Sequence, residues 1–246
     1  AFILGALCVF GFSPYNLFIA PIVGLAGLFY FWQISHTPKQ AAKVGFSFGL
    51  GFFIAGIYWI YISLHDVGGM PFWMAGIATL GLCAFLALFP ALVGFLAKRS
   101  HRLLMTATIV WVLAEWVRSW IFTGFPWMGF AEAQFNGPFA PIAPLFGGLA
   151  CTFLVMWTSW EIFQLRKHVM FSIASIVCLV VFSQLAGLMS FTKPTGEPIS
   201  IRLIQGNFEQ RLKFDPSAIN QQIDFYVSDI KRKAADLIII PETAFP

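Results

Sequence analysis

The sequence predicts a polytopic α-helical membrane domain of about seven spans, followed by the opening of a smaller α/β domain. Three observations carry this. First, 59% of the 246 residues are hydrophobic and only 11% are charged, with a mean hydropathy of +0.79. Soluble domains carry roughly 25% charged residues. Second, the charges are uneven: residues 1–192 hold eight Lys/Arg and four Asp/Glu, and the 54 residues from Lys193 hold seven of each. Third, the polar tail reads as strand, helix, strand. A water-soluble globule is excluded, and so is disorder, which needs low hydrophobicity and high net charge. The net charge of +4 is split into small clusters, which implies no nucleic-acid partner.

A span needs about 20 mostly apolar residues. The first charged side chain is Lys39, so residues 1–38 have room for two spans, about 1–12 and 17–33, broken at Gly11-Phe12-Ser13-Pro14. Later spans are expected at about 44–63, 71–97, 103–121, 139–162 and 169–191. Domain boundaries follow at 1–192 for the membrane part and 193–246 for the tail. The tail is shorter than a usual domain, and the chain starts without Met, so it reads as a piece of a longer protein.

Lys and Arg in short loops set orientation. Lys39 and Lys43, then Lys98, Arg99 and Arg102, then Arg166 and Lys167 fall on one side if spans alternate. The loops at 65–71 and 123–137 contain neither residue type. The basic side is therefore expected to be cytoplasmic and the tail extracytoplasmic. Cys8, Cys83, Cys151 and Cys178 all lie in expected spans without metal-motif spacing, so they read as apolar packing residues. No metal or other cofactor is expected.

Within the fifth span, Glu115 and Arg118 lie three apart and share a helix face. They read either as a neutralising pair that fixes helix packing or as a polar wall of a lipid-headgroup site. Phe122-Thr123-Gly124-Phe125-Pro126-Trp127-Met128-Gly129-Phe130 follows. It reads as an interfacial aromatic belt or, given two glycines and a proline, as a re-entrant lipid-facing loop. Gly45 and Gly49, with Gly51 and Ala55, have the small-residue spacing that lets helices approach closely.

In the tail, residues 199–205 alternate as a strand and Gly206-Asn207 ends it. Asp215-Pro216 reads as an N-cap with Pro at the first helical position. Ile219, Ile223, Tyr226 and Ile230 form an apolar stripe, and Leu237-Ile238-Ile239-Ile240 is a short run suited to a parallel sheet. Functional groups in such sheets gather beyond the carboxyl ends of strands. Gln205-Gly206-Asn207 and Pro241-Glu242-Thr243 fall there.

Ile204-Gln205-Gly206-Asn207, Lys213-Phe214-Asp215-Pro216 and the run from Asp236 through Pro241-Glu242-Thr243-Ala244-Phe245-Pro246 resemble the opening of the nitrilase-like (αββα) domain of the apolipoprotein N-acyltransferase family. His65-Asp66-Val67-Gly68-Gly69-Met70-Pro71, Glu115-Trp116-Val117-Arg118 and Phe125-Pro126-Trp127 resemble that family's outer membrane loops. The similarity covers essentially the whole chain.

The resemblance implies a bacterial inner-membrane enzyme with its C-terminal domain in the periplasm. Such enzymes move an acyl chain from a phospholipid donor to the α-amino group of the N-terminal diacylglyceryl-cysteine of lipoproteins. A thioester on a cysteine is the intermediate. A Glu is the general base, a Lys stabilises the oxyanion and the Cys attacks. Only the Glu maps here, onto Glu242. Lys213 precedes the motif and does not stand in for the family Lys, and no cysteine lies in the tail, so the chain alone is expected to be inactive. Trp127, Phe125 and Phe214 are implied lipid contacts, although Phe214 stands where many relatives carry Trp. Gln205 and Asn207 are implied to support the site. A transporter or channel with a structural tail is the alternative, but no convincing internal repeat accompanies it. A seven-span receptor would need the opposite orientation.

Overall fold

The computed structural model describes residues 1–209, 216–242 and 244. The chain forms two compact units: residues 1–61 with 72–190, and residues 62–71 with 191–246.

The first unit is helical. Its helices are α1 (Phe2–Cys8), α2 (Ile19–Ile34), α3 (Pro38–Ile57), the short α4 (Trp59–Ile62), α5 (Phe72–Arg99), α6 (Leu103–Arg118), the short α7 (Ala143–Phe146) and α8 (Gly148–Gly187). Local chemistry sets several boundaries. The Thr37 hydroxyl accepts the Gln40 N–H at 3.2 Å, Pro38 occupies the first turn, and Gln40 Oε1 accepts the His36 N–H at 2.8 Å. This reciprocal cap starts α3 six residues before the expected 44–63 span and draws Lys39 and Lys43 onto the helix. Lys98 and Arg99 sit in the last turn of α5, where they favour its unpaired carbonyls. Lys98 Nζ also donates to the Gln33 carbonyl near the end of α2, at 2.9 Å.

Three helices, α3, α5 and α8, are long and apolar enough to cross a membrane. α1 and α2 are apolar but shorter. The 40 residues of α8 would extend about 60 Å if straight. They do not run straight: His168 leaves helical geometry at φ −138°, ψ 52°. Ser175 donates to Glu161 at 3.1 Å, and Gln184 Nε2 donates to the Pro138 carbonyl at 2.9 Å. Residues on either side of His168 thus face each other, and α8 is an antiparallel hairpin with Arg166 and Lys167 at its turn. The sixth expected span, 139–162, begins instead at Gly148, because residues 140–146 form two short turns interrupted by Pro141 and Pro144.

Small residues allow the closest approaches. A Cβ on Gly45 would collide with the Pro90 carbonyl oxygen of α5, and one on Gly51 would collide with the Phe2 carbonyl oxygen of α1. α3 is thereby held against main-chain atoms on two sides. Around it lies an aromatic core of Phe29, Trp32, Phe48, Phe52, Trp111 and Phe130.

In the second unit, β1 (Ile201–Leu203) pairs in parallel with β2 (Leu237–Ile239), with Ile201 opposite Leu237 and Leu203 opposite Ile239. Helix α9 (Pro216–Arg232) connects them, giving the expected β-α-β order with strands shorter than the apolar runs. The Asp236 carboxylate accepts both the N–H and the hydroxyl of Ser200, at 2.8 and 2.7 Å, and the Ser200 hydroxyl oxygen accepts the Asp236 N–H at 3.0 Å. That reciprocal lock starts both strands in register. Arg202 ties β1 to α9 through the Asp229 carboxylate and the Lys233 carbonyl. Ile204, Tyr226 and Ala244 form the buried centre, with Phe208, Ile230, Ile238 and Ile240 around it. Residues 62–71, a π-helical turn over Ser63–Val67 that ends at Gly69 with φ 66°, belong to this unit.

Candidate functional site

The candidate residues fall into one cluster in each unit. In the first unit the organising element is the last turn of α6. Arg118 is 4% exposed. Its guanidinium donates to the Phe125 carbonyl at 2.9 Å and to the Trp127 carbonyl, while its own carbonyl accepts the Phe125 N–H at 2.8 Å. The guanidinium also lies 5.6 Å from the centre of the Phe53 ring. A desolvated cation is therefore met by two peptide oxygens and a ring face, with Glu115 and Glu132 as the nearby carboxylates.

Glu115, one turn earlier, does not bond Arg118 directly. Its carboxylate accepts from Trp111 Nε1 at 3.1 Å, from the Phe130 N–H at 3.3 Å and from the Thr152 hydroxyl at 2.7 Å. The two charges thus grip opposite ends of the segment 125–130 rather than each other. Both charges bond groups of neighbouring segments, Arg118 the outer loop and Glu115 that loop and α8.

The gripped loop is not helical. Phe122, Thr123, Gly124 and Met128 have φ of 52°, 78°, 87° and 64°, a left-handed region in which non-glycine residues are uncommon. Phe125 and Trp127 are brought together, with ring centres 5.2 Å apart, and Trp127 also meets Trp59 at 6.3 Å. Phe130 turns inward and stacks on Trp111 at 5.4 Å. Trp127 remains exposed and, with Phe12, Ser13, Asn16, Glu132 and Phe135, lines an open groove of about 710 Å³. Partial desolvation raises the Glu132 carboxyl above the usual carboxylate range, and the nearby Glu115 charge adds to this.

In the second unit, the parallel register sets the ends of β1 and β2 side by side, and the Ile204 N–H still bonds the Ile239 carbonyl at 2.9 Å. Gln205 and Asn207 leave one strand and Glu242 leaves the next, all three exposed. Asn207 adopts φ 52°, which turns the chain away after β1. Gly206 packs where a Cβ would meet the Phe208 ring and the Tyr226 hydroxyl. The segment 210–215, with Phe214 and the Asp215 cap, lies outside the described residues, as do Thr243, Phe245 and Pro246.

Thr152 and Glu132 were not singled out by sequence reasoning, and Phe130 was read only as part of the aromatic stretch. Glu132 was findable, as one of only four acidic residues before Lys193. Thr152 carries no such signal, since a hydroxyl in an apolar helix is common. Among the described residues, no three His, Cys, Asp or Glu side chains are grouped so as to hold a metal ion. Cys8, Cys83 and Cys151 are buried, and Cys178 is exposed on α8.

Comparison with known proteins agrees with the membrane motifs. Residues 4–161 match the family described as "Apolipoprotein N-acyltransferase N-terminal domain". Curated relatives named apolipoprotein N-acyltransferase include those of Nitrosomonas europaea, 38% identical over the whole chain and 51% of the relative, and Ralstonia nicotianae, 35% identical over the whole chain and 49% of the relative. That of Chromobacterium violaceum is 36% identical, again over the whole chain and 49% of the relative. The chain spans about half the length of the curated relatives it matches.

Proposed function

Because this chain belongs to the apolipoprotein N-acyltransferase family, we propose that it supplies the membrane platform and the general base of an enzyme that acylates lipoproteins. The donor is a phospholipid, and the acceptor is the α-amino group of an N-terminal diacylglyceryl-cysteine. The observation that carries the catalytic part is the parallel β1–β2 pair, which sets Glu242 beyond one strand and Gln205 and Asn207 beyond its neighbour. Carboxyl ends of parallel strands are where α/β sheets place their chemistry.

In this reading Glu242 removes the proton from a cysteine thiol, and the thiolate attacks the ester carbonyl of the phospholipid. The tetrahedral oxyanion is held by a lysine, the lysophospholipid leaves with the proton, and a thioester remains. The acceptor amine then attacks the thioester, Glu242 takes its proton, and the thiol is released. The lysine and cysteine belong to the rest of a nitrilase-like domain that begins near Lys193. Residues 193–246 contain no cysteine, so this chain alone forms no thioester.

Trp127, posed by Arg118, contacts an acyl chain of the donor from the groove in the first unit, with the Phe125 ring packed beside it; Phe214, outside the described residues, is a further proposed lipid contact. The membrane part crosses about seven times, with α1, α2 and α6 joining the longer helices and α8 counting twice. Lys98 bonding Gln33 supports placing the basic loops on one face, the cytoplasmic one. Loop 62–71, which has no Lys or Arg, belongs to the same unit as the tail, and this supports a periplasmic tail on an inner-membrane protein. The test is Glu242→Gln in the full-length protein. Loss of the acyl-cysteine formed with phospholipid is expected, and an undiminished thioester would remove Glu242 from the role of base.

A further inference from the structure

The basic end of the first unit carries charge that its own carboxylates do not balance. Every Lys and Arg of this unit except Arg118 lies near the start of α3, at or just beyond the end of α5, or at the α8 hairpin. Its acids are Glu115 and Glu132 in the Arg118 cluster, and Glu161, which is 3% exposed and occupied by Trp157 and Ser175. No salt bridge reaches Lys98, Arg99 or Arg102 among the described residues.

At this end the α5–α6 turn and α8 enclose an open cavity of about 570 Å³. Lys98, His101 and Arg102 supply its cationic wall, and Leu104, Met105 and Trp160 supply an apolar one. Lys98 spends one N–H on the Gln33 carbonyl and keeps the others for a ligand. Trp160 packs edge-on against Phe29 at 5.4 Å and tilted against Phe163 at 5.3 Å, so the indole is held in place. Orientation in the membrane requires cations in these loops, but it does not require them to line a concavity shared with an indole and aliphatic side chains.

We propose that this cavity holds the headgroup of an anionic phospholipid from the leaflet at the basic end. Its phosphate lies against Lys98 and Arg102, and its glycerol and upper acyl carbons lie against Met105 and Trp160. The volume is within the range of small-molecule sites, and basic pockets between spanning helices on this side are suited to anionic lipid headgroups. A free anion would use the cationic wall and leave the apolar wall wet. This site lies at the end of the unit opposite the Arg118 cluster and is independent of acyl transfer.

The test counts lipids bound to the full-length protein, purified in neutral detergent, by native mass spectrometry during titration with phosphatidylglycerol or phosphatidylcholine. One phosphatidylglycerol is expected to be retained preferentially, with affinity falling about five-fold in Arg102→Gln. This substitution spares the Lys98–Gln33 bond, so the fold is kept. Lys98→Gln combined with Arg102→Gln should weaken binding further. Lys39→Gln combined with Lys43→Gln, at the same end but outside the cavity, should leave it unchanged. Equal retention of phosphatidylcholine, or full affinity in Arg102→Gln, overturns the proposal. An equal loss in the Lys39/Lys43 variant shows diffuse attraction and also overturns it. Complete displacement by millimolar inorganic phosphate overturns the lipid assignment in favour of a free-anion site.

Discussion

The Thr152 hydroxyl donates to the Glu115 carboxylate across 2.7 Å, joining the first half of α8 to α6 at the level where the outer loop departs. Hydrogen bonds to charged acceptors away from water contribute about 1.5–3 kcal/mol. Thr152→Val keeps the side-chain volume and removes the donor. It should cost stability of that order, read as a lower melting temperature in detergent, whereas Thr152→Ser should stay close to the native value. Equal melting of the Val variant would show that Glu115 finds another donor.

Gly45 faces the Pro90 carbonyl with no room for a methyl group. Gly45→Ala must separate α3 from α5 and should cost about 1–3 kcal/mol. Thermal unfolding reads this, and Gly76→Ala, where a Cβ meets no atom within 4 Å, is the control that should not destabilise.

Asp236 gives a pH dependence in the second unit. Hydrogen bonds from the Ser200 hydroxyl and N–H hold its carboxyl below the usual carboxylate range. The folded form therefore favours the carboxylate. Its contribution is present above about pH 4, the ordinary value, and is lost as pH falls through the lowered folded value. Hydrogen exchange at the Leu237 N–H, which bonds the Ser200 carbonyl at 3.1 Å, should become faster in that window. In Asp236→Asn the acid-dependent change should vanish.

Trp127 offers its ring to the groove while its carbonyl is held by Arg118. Trp127→Ala in the full-length protein should reduce thioester formation with phospholipid about ten-fold, the worth of a partly buried aromatic contact, with little change in melting temperature. Trp127→Phe should recover most of the loss. Unchanged thioester formation in the Ala variant would remove the ring from donor contact.

The order of elements was legible because apolar period and breakers are local properties. The break after Gly11, the two helices meeting at His168, and the strand-helix-strand tail were all expected. Boundaries moved where a local cap competed with charge: Thr37-Pro38 begins α3 although Lys39 and Lys43 argue against a span starting there. The Glu115–Arg118 spacing identified a shared face, but their partners lie in sequence-distant loop carbonyls, a hydroxyl and an indole, which no helical spacing encodes. Thr152 is 37 residues from Glu115, and their contact depends on how α6 and α8 pack. For the strand-end residues, the alternation of 199–205 and the apolar run 237–240 predicted two strands ending at Gln205-Gly206-Asn207 and Pro241-Glu242-Thr243, and β1 and β2 do pair in parallel.

Arg118 grips the loop by two peptide oxygens and leaves the side chains of Phe125 and Trp127 unconstrained by its charge. Shape and chemistry are therefore encoded by different residues. The path of the loop depends on buried Arg118 and Glu115, and the character of the surface it presents depends on the ring at 127 and the Phe125 ring packed beside it. Substitutions at 127 can retune what the groove accepts without redrawing the backbone, while the arginine has no such freedom. Divergence among proteins built on this platform should accordingly be tolerated at the rings and resisted at the clamp.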